Sequence, residues 1–217
     1  MSFDTTDMHA ALMHELKNNL GLLTMTLDGM PLLGIPEHDA KLDDARLICQ
    51  RSVERLQQAL LIYKADRHTL HPSIDAYSPI DLLRELGDNA SSLARNRLTV
   101  EVLVSDDVPD LWFFDRGLVE MALLNAIHNA LTYARTTIRI EADMRDDYLT
   151  LTVRDDSNGY PEQLLEFDGS PGVSGGSATG LGLRFAQLIA ELHENQGRVG
   201  KLKLANDAGA VFSLLLP

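Results

Sequence analysis

The chain has 217 residues, enough for one large or two small domains, with 45% hydrophobic and 24% charged side chains. Its formal net charge of −13 argues against nucleic acid or an anionic membrane as partner, because phosphates repel so acidic a surface. A single cysteine, Cys49, excludes an internal disulfide framework. No apolar run approaches the roughly 18 residues of a membrane span, and Met1 to His9 carries no signal-peptide pattern. The expectation is therefore a soluble, cytoplasmic protein without a membrane span.

The first third predicts a helical hairpin. Leu12, Leu16, Leu20, Leu23, Leu27 and Met30 are spaced 4, 4, 3, 4 and 3. At about 100° per residue they form a stripe roughly 80° wide, and His14 lies about 160° from its centre. Asn18 falls on the same outer side as His14. Pro31, Gly34 and Pro36 end this helix. A second stripe with the same spacing follows: Ala45, Cys49, Val53, Leu56, Leu60 and Tyr63. Two such helices bury too little alone, and a second copy completing a four-helix bundle is the economical solution. At this point His14 reads equally well as an incidental surface residue on a dimerisation arm.

Asp66 to Pro79, with Pro72, Ser73, Ser78 and Pro79, reads as a hinge. The expected domains are residues 1–70 and 71–217.

The second part predicts helices over Pro79–Asn96, Asp115–Ala134 and Leu181–Leu192. Ser78 is positioned to cap the first of them. Alternating runs predict strands over Leu98–Val104, Thr137–Met144, Tyr148–Arg154, Val199–Leu204 and Ala210–Leu216, with a hairpin turn at Arg145 to Asp147. Gly169 to Thr179 is a Gly- and Ser-rich loop. The fold class is α+β: a helical hairpin followed by an α/β sandwich.

Three segments carry chemistry. Asn125 and Asn129 are four apart and share a helix face. An amide oxygen there suits Mg²⁺, which takes few protein ligands and completes its shell with phosphates and water. Solvation of a helix surface is the plainer explanation for the pair. Asp155 ends an apolar strand, where a carboxylate can accept from an amino group, and Gly159 permits a close turn. An ordinary acidic turn looks the same. Gly180 and Gly182 open a helix whose free N–H groups favour anions, or they belong to a flexible loop ending in a cap.

Taken in order, these segments resemble the catalytic core of sensor histidine kinases. Asp115, Arg116, Val119, Leu123, Leu124, Asn125, Ala126, Ile127, His128, Asn129, Ala130, Leu131 and Tyr133 resemble the asparagine box. Val153 through Pro161 resembles the first glycine box, and Thr179, Gly180, Leu181, Gly182 and Leu183 the second. With His14, Glu15 and Asn18 ahead of them, the resemblance covers nearly the whole chain.

The resemblance implies a gyrase/histidine-kinase-type ATPase domain that binds ATP and Mg²⁺. Asn129 would hold the metal; Asn125, Tyr133, Asp155, Gly159, Gly180, Leu181 and Gly182 would line the nucleotide site. It implies phosphorylation of His14, with Glu15 orienting the ring or accepting its proton. Asn18 would position water for dephosphorylation of a response regulator receiver domain. The expected assembly is a homodimer, and the start of the first helix near residue 5 implies input from a separate sensor protein.

The chain departs from the family at Ser157 (first glycine), Ala178 (leading glycine), Thr132 (usually basic) and Asn19 (usually proline). Twenty residues separate Gly159 from Gly180, which implies a short ATP lid, and Phe167 is the lone candidate for a phenylalanine box. These departures keep open a histidine phosphotransferase with a degenerate ATPase-like domain. A nucleotide-binding regulatory module acting by protein sequestration also remains open.

Overall fold

The computed structural model describes the backbone of residues 5–94, 97–165 and 180–217. The side chains of 5–14, 36 and 47 fall outside the described residues, as do Asn96, Phe167 and the residues 169–179 expected as a loop. The chain falls into two compact units, Met1–Leu70 and His71–Pro217.

The first unit is an antiparallel pair, α1 (Thr5–Asp28) and α2 (Pro36–Asp66). Pro36 starts α2 where its missing N–H is not needed, and Glu37 and Asp39 lie in the first turn against the positive end of the helix dipole. Asp39 also shapes the connection, its carboxylate accepting from Leu33 N–H at 2.9 Å and Gly34 N–H at 3.0 Å. Arg46 reaches back to the open end of α1, donating to the carbonyls of Leu27 (Nε, 3.0 Å; Nη2, 2.8 Å) and Met30 (2.8 Å). Leu27 belongs to the last turn of α1, where carbonyls lack intrahelical donors, and its oxygen also accepts from Met30 N–H at 3.2 Å. Cys49 is buried and sits 3.3 Å from the Thr24 hydroxyl. The stripe on α1 is only partly covered by α2: Leu16, Leu23 and Met30 stay 45%, 47% and 46% exposed.

The second unit starts with β1 (Asp75–Tyr77), α3 (Pro79–Ala94), β2 (Thr99–Val104) and β3 (Trp112–Phe114). It continues through α4 (Arg116–Tyr133), β4 (Thr137–Arg145), β5 (Tyr148–Asp155) and the single turn α5 (Glu162–Leu165). Beyond residues 166–179 come α6 (Leu181–Leu192), β6 (Glu194–Asn195), β7 (Arg198–Val199), β8 (Lys201–Asn206) and β9 (Ala210–Leu216). The main sheet has the order β2-β4-β5-β9-β8, with β2 parallel to β4 and the other pairs antiparallel.

Period-two alternation sorts the sheet into two faces. Ile138, Ile140, Leu149, Leu151, Val153, Phe212, Leu214 and Leu216 are buried on one face, with α3, α4 and α6 packed over it. The opposite face carries polar and charged pairs such as Arg139 with Glu101 at 2.8 Å. Asp146 and Asp147 both have positive φ, 50° and 62°, the turn that matches the twist of a two-residue hairpin. Ser78 caps α3, its hydroxyl accepting from Asp81 N–H at 3.2 Å.

Two expectations need correction. The hinge contains a strand: β1 pairs antiparallel with β3, Tyr77 opposite Trp112. The strand expected over Val199–Leu204 is split at Gly200, so that β7 pairs with β6 and β8 with β9. A Cβ at Gly200 would lie 2.3 Å from the Ala190 carbonyl oxygen, so the chain can pass beneath α6 only as glycine. Among the described residues, no helix is long and apolar enough to cross a membrane.

Candidate functional site

Asp115 starts α4 as its N-cap, the carboxylate Oδ1 accepting from Leu118 N–H at 3.0 Å. The helix then carries Asn125, Asn129 and Tyr133 one turn apart. Asn125 is half-buried with an inaccessible Nδ2, Asn129 is exposed, and Tyr133 is 56% exposed. Thr132 is exposed, its hydroxyl turned back to the His128 carbonyl at 2.9 Å.

Gly182 in the first turn of α6 lies directly against Asn125. A Cβ at Gly182 would sit 2.5 Å from Asn125 Nδ2 and 2.6 Å from Oδ1, closer than any side chain tolerates. The helix begins at Gly180, which adopts the left-handed conformation (φ 62°) and offers no side-chain cap. The first amides of α6, at Leu181, Gly182 and Leu183, have no intrahelical acceptor, and the helix dipole adds positive potential there. Asn125 and the opening of α6 are thus one wall.

Two adjacent carboxylates at the end of β5 do different work. Asp155 Oδ1 accepts from Ser157 N–H at 2.8 Å and Ala210 N–H at 3.3 Å. Its Oδ2 makes no hydrogen bond among the described residues, leaving an acceptor for a ligand. Asp156 instead closes the start of β4, accepting from the backbone N–H of Arg135 at 2.7 Å and of Thr136 at 3.0 Å. Burial alone would push the Asp156 carboxyl up. Hydrogen bonds from the Thr136 hydroxyl and from the amides of Thr136, Arg135 and Thr137 outweigh it and hold the group well below the usual carboxylate range.

The loop after β5 is shaped from a distance. Gly159 has φ +83°, and a Cβ there would lie 2.5 Å from Asn206 Oδ1. Asn206, the last residue of β8, grips the next peptide from both sides. Its Oδ1 accepts from Tyr160 N–H at 2.7 Å, and its Nδ2 donates to the Tyr160 carbonyl at 2.8 Å. Burial, and then the charge of Asp155, push the Tyr160 phenol far up, so it stays protonated. Gly209 approaches the same loop; a Cβ there would lie 1.9 Å from the Asp155 carbonyl oxygen.

Ser157, at the family's first glycine, is accommodated without positive φ. Its hydroxyl accepts from Gly159 N–H at 3.1 Å, so the substitution adds a bond to the turn. Ala178, Thr179 and Phe167 lie outside the described residues. His14 falls within α1, its side chain outside the described residues, while Glu15 and Asn18 are exposed on that helix. Asn206, Gly209 and Tyr160 were not singled out from sequence. The only local signal is the turn composition of Asn206 to Gly209, which says nothing of a loop more than forty residues upstream.

The donor set fits a magnesium nucleotide. Asn129 presents an exposed amide oxygen, a hard ligand of the kind Mg²⁺ accepts. The opening of α6 presents amides to anions, and Asp155 presents a carboxylate oxygen to an amino group.

Comparison with known proteins places this geometry. Residues 114–217 match the family model described as histidine kinase-, DNA gyrase B-, and HSP90-like ATPase. The chain is 30% identical over 179 residues to the sensor protein kinase PmrB of Pseudomonas aeruginosa, covering 77% of this chain and 36% of that one. It is 29% identical over 166 residues to a probable sensor histidine kinase of Mycobacterium tuberculosis, covering 74% and 42%. The chain therefore spans less than half the length of these two curated relatives. Among solved structures, full-length ShkA in complex with AMPPNP superposes with a TM-score of 0.72 at 20% identity, over 97% of this chain and 45% of that one. The catalytic domain of the histidine kinase ThkA gives 0.57 at 23% identity, over 67% and 97%. The second unit thus has a histidine kinase-type ATPase fold, and the resemblance to the sensor histidine kinase core is shown by both sequence and structure.

Proposed function

We propose that the chain is a histidine kinase in which residues 71–217 bind Mg²⁺-ATP and residues 1–70 carry the phosphoacceptor His14. The observation that carries the reading is the contact of Asn125 with Gly182. It joins the face of α4 that carries Asn125 to the amide-rich start of α6, and Asp155 at the end of β5 keeps a carboxylate oxygen with no hydrogen bond among the described residues. In this reading Asp155 Oδ2 accepts from the adenine amino group, the α6 amides receive phosphate oxygens, and Asn129 supplies an oxygen to Mg²⁺. The metal contributes neutralisation of phosphate charge.

Phosphorylation breaks the bond between the γ-phosphorus and the bridging oxygen, releases ADP, and forms a bond from phosphorus to an imidazole nitrogen of His14. A neutral imidazole is the nucleophile, since its ordinary pKa is about 6.5. Glu15 orients the ring or takes its proton. The phosphoryl group then passes to an aspartate on a receiver domain, and Asn18 positions water for the hydrolysis of that aspartyl phosphate, which releases inorganic phosphate. Leu16, Leu23 and Met30, each about half exposed, support a second copy of the hairpin as the partner that completes a bundle.

Thr132, exposed where the family carries a cation, favours a second reading, a histidine phosphotransferase whose ATPase-like domain has decayed. Incubation with γ-labelled ATP and Mg²⁺ separates the two. Acid-labile, base-stable label that disappears in His14→Ala and in Asn129→Ala supports the kinase. Absence of both label and nucleotide binding, with label acquired from a phosphorylated receiver domain, supports the phosphotransferase. Nucleotide binding without label supports the sequestering module.

A further inference from the structure

His193 and Asp115 lie outside the nucleotide-facing set, yet they join its two helices. His193 is the C-cap of α6 and only 2% exposed. Its Nε2 accepts from Asp115 N–H at 2.9 Å. The neutral ring therefore carries its proton on Nδ1, which donates to the Ile189 carbonyl at 2.7 Å. Asp115 is the N-cap of α4, so this bond ties the end of α6 to the start of α4. The two helices are tied again where Gly182 meets Asn125. Asp115 to Asn125 is ten residues and Gly182 to His193 eleven, about 15 Å and 16.5 Å of helix at 1.5 Å per residue. The whole of α6 is thus pinned near both of its ends against the first ten residues of α4, the two helices running antiparallel over matching lengths. A shift at one pin has no slack to be absorbed before the other.

The first pin has a third arm. Asp115 uses Oδ1 to cap α4, and its Oδ2 accepts from Ser73 N–H at 2.7 Å. Ser73 lies in the segment that enters the second unit directly after the boundary at Leu70. We infer that Asp115 and His193 are positioning residues for the nucleotide site, coupling the segment around Ser73 to the Asn125–Gly182 contact. Pulling or twisting the linker then changes nucleotide affinity without any contact between linker and nucleotide. This inference rests on the nucleotide-binding reading above.

The test is a double-mutant cycle in the full chain, read as the Kd of the Mg²⁺ complex of trinitrophenyl-ATP and as thermal stability. Ser73→Pro removes the amide hydrogen while leaving Asp115 and His193 intact. Asp115→Ser keeps one oxygen to cap α4 but loses the acceptor for Ser73. Each variant is expected to raise Kd about fivefold, the low end of ordinary coupling between sites. The double variant is expected to raise it no further, because both remove the same bond. Wild-type binding with unchanged Kd in both single variants, or effects that multiply in the double, overturns the coupling. A merely structural role would lower the melting temperature and leave Kd unmoved well below it. A wild-type chain that binds no nucleotide overturns the nucleotide reading itself, and the coupling with it.

Discussion

Asn125 fills the space that a side chain at Gly182 would need: the position a β-carbon would take at 182 is 2.5 Å from the Asn125 amide nitrogen. The amide lies inside the α4–α6 seam, so neither helix can move away without opening the core around Phe185 and Ile127, both fully buried. Gly182→Ala is therefore expected to cost about 1–3 kcal/mol through overpacking. It should also reduce nucleotide affinity at least about tenfold, since about 1.4 kcal/mol at the site suffices for that. Calorimetric titration with a non-hydrolysable ATP analogue, beside a urea melt, checks both. A variant that binds as tightly as wild type would detach this contact from the nucleotide site.

Asp155 and Asp156 are adjacent and separable. Asp155→Asn keeps an oxygen for the Ser157 and Ala210 amides but turns the free acceptor into an NH₂ donor, which repels an adenine amino group. Nucleotide binding should fall at least about tenfold, with stability changed by less than about 0.5 kcal/mol. Asp156→Ala should do the reverse. It strips the amides of Arg135 and Thr136 of their acceptor, costs about 1–2 kcal/mol by the usual worth of such bonds, and leaves affinity near wild type. Equal effects of the two substitutions on binding would contradict the division of labour.

Much of the second unit is written locally. The spacing of Leu183, Ala186 and Ile189 defines α6, and the apolar run Ala210 to Leu216 defines β9. What is not local is not legible. β1 and β3 are three residues each, sit in Pro-rich and turn-rich sequence, and exist because they pair across an intervening helix and strand. Asn206 reads as a turn residue and turns out to hold Tyr160. Asp156 falls within the first glycine box and is consumed by the start of β4. Ser157, a departure from the glycine pattern, needs no positive φ and so disturbs nothing. In each case the deciding partner is far away in sequence, where spacing and propensity carry no information.

Arg46 gives the first unit a test of its own. Its guanidinium meets the carbonyls of Leu27 and Met30 at the end of α1, and Asp28 and Asp43 stand at 3.7 Å and 3.5 Å. Arg46→Met keeps the apolar stem and removes the donors. The hairpin should lose about 1–3 kcal/mol, the worth of charged hydrogen bonds to carbonyls at the end of α1, while nucleotide affinity of the second unit stays unchanged. Helicity followed through a urea titration, with nucleotide binding measured in parallel, distinguishes this from a global effect.

His193 makes the stability of the second unit sensitive to mild acid. Burial, opposed by the hydrogen bond to Ile189 and the nearby charge of Asp115, keeps its folded pKa below the ordinary histidine value. The unfolded chain, with pKa about 6.5, therefore binds the proton more readily than the folded one. The stabilisation is complete above about pH 6.5 and is lost progressively as pH falls from there toward the folded pKa. Protonation also places a donor on Nε2 opposite the Asp115 N–H, so the bond between α6 and α4 is replaced by repulsion. The melting temperature of the wild-type chain should fall between about pH 7 and pH 5, before most carboxylates titrate. In His193→Gln the side-chain oxygen can still accept from Asp115 N–H and nothing titrates there. Its melting temperature should be lower at pH 7 but flatter across that interval, and equal slopes in the two proteins would remove His193 as the source.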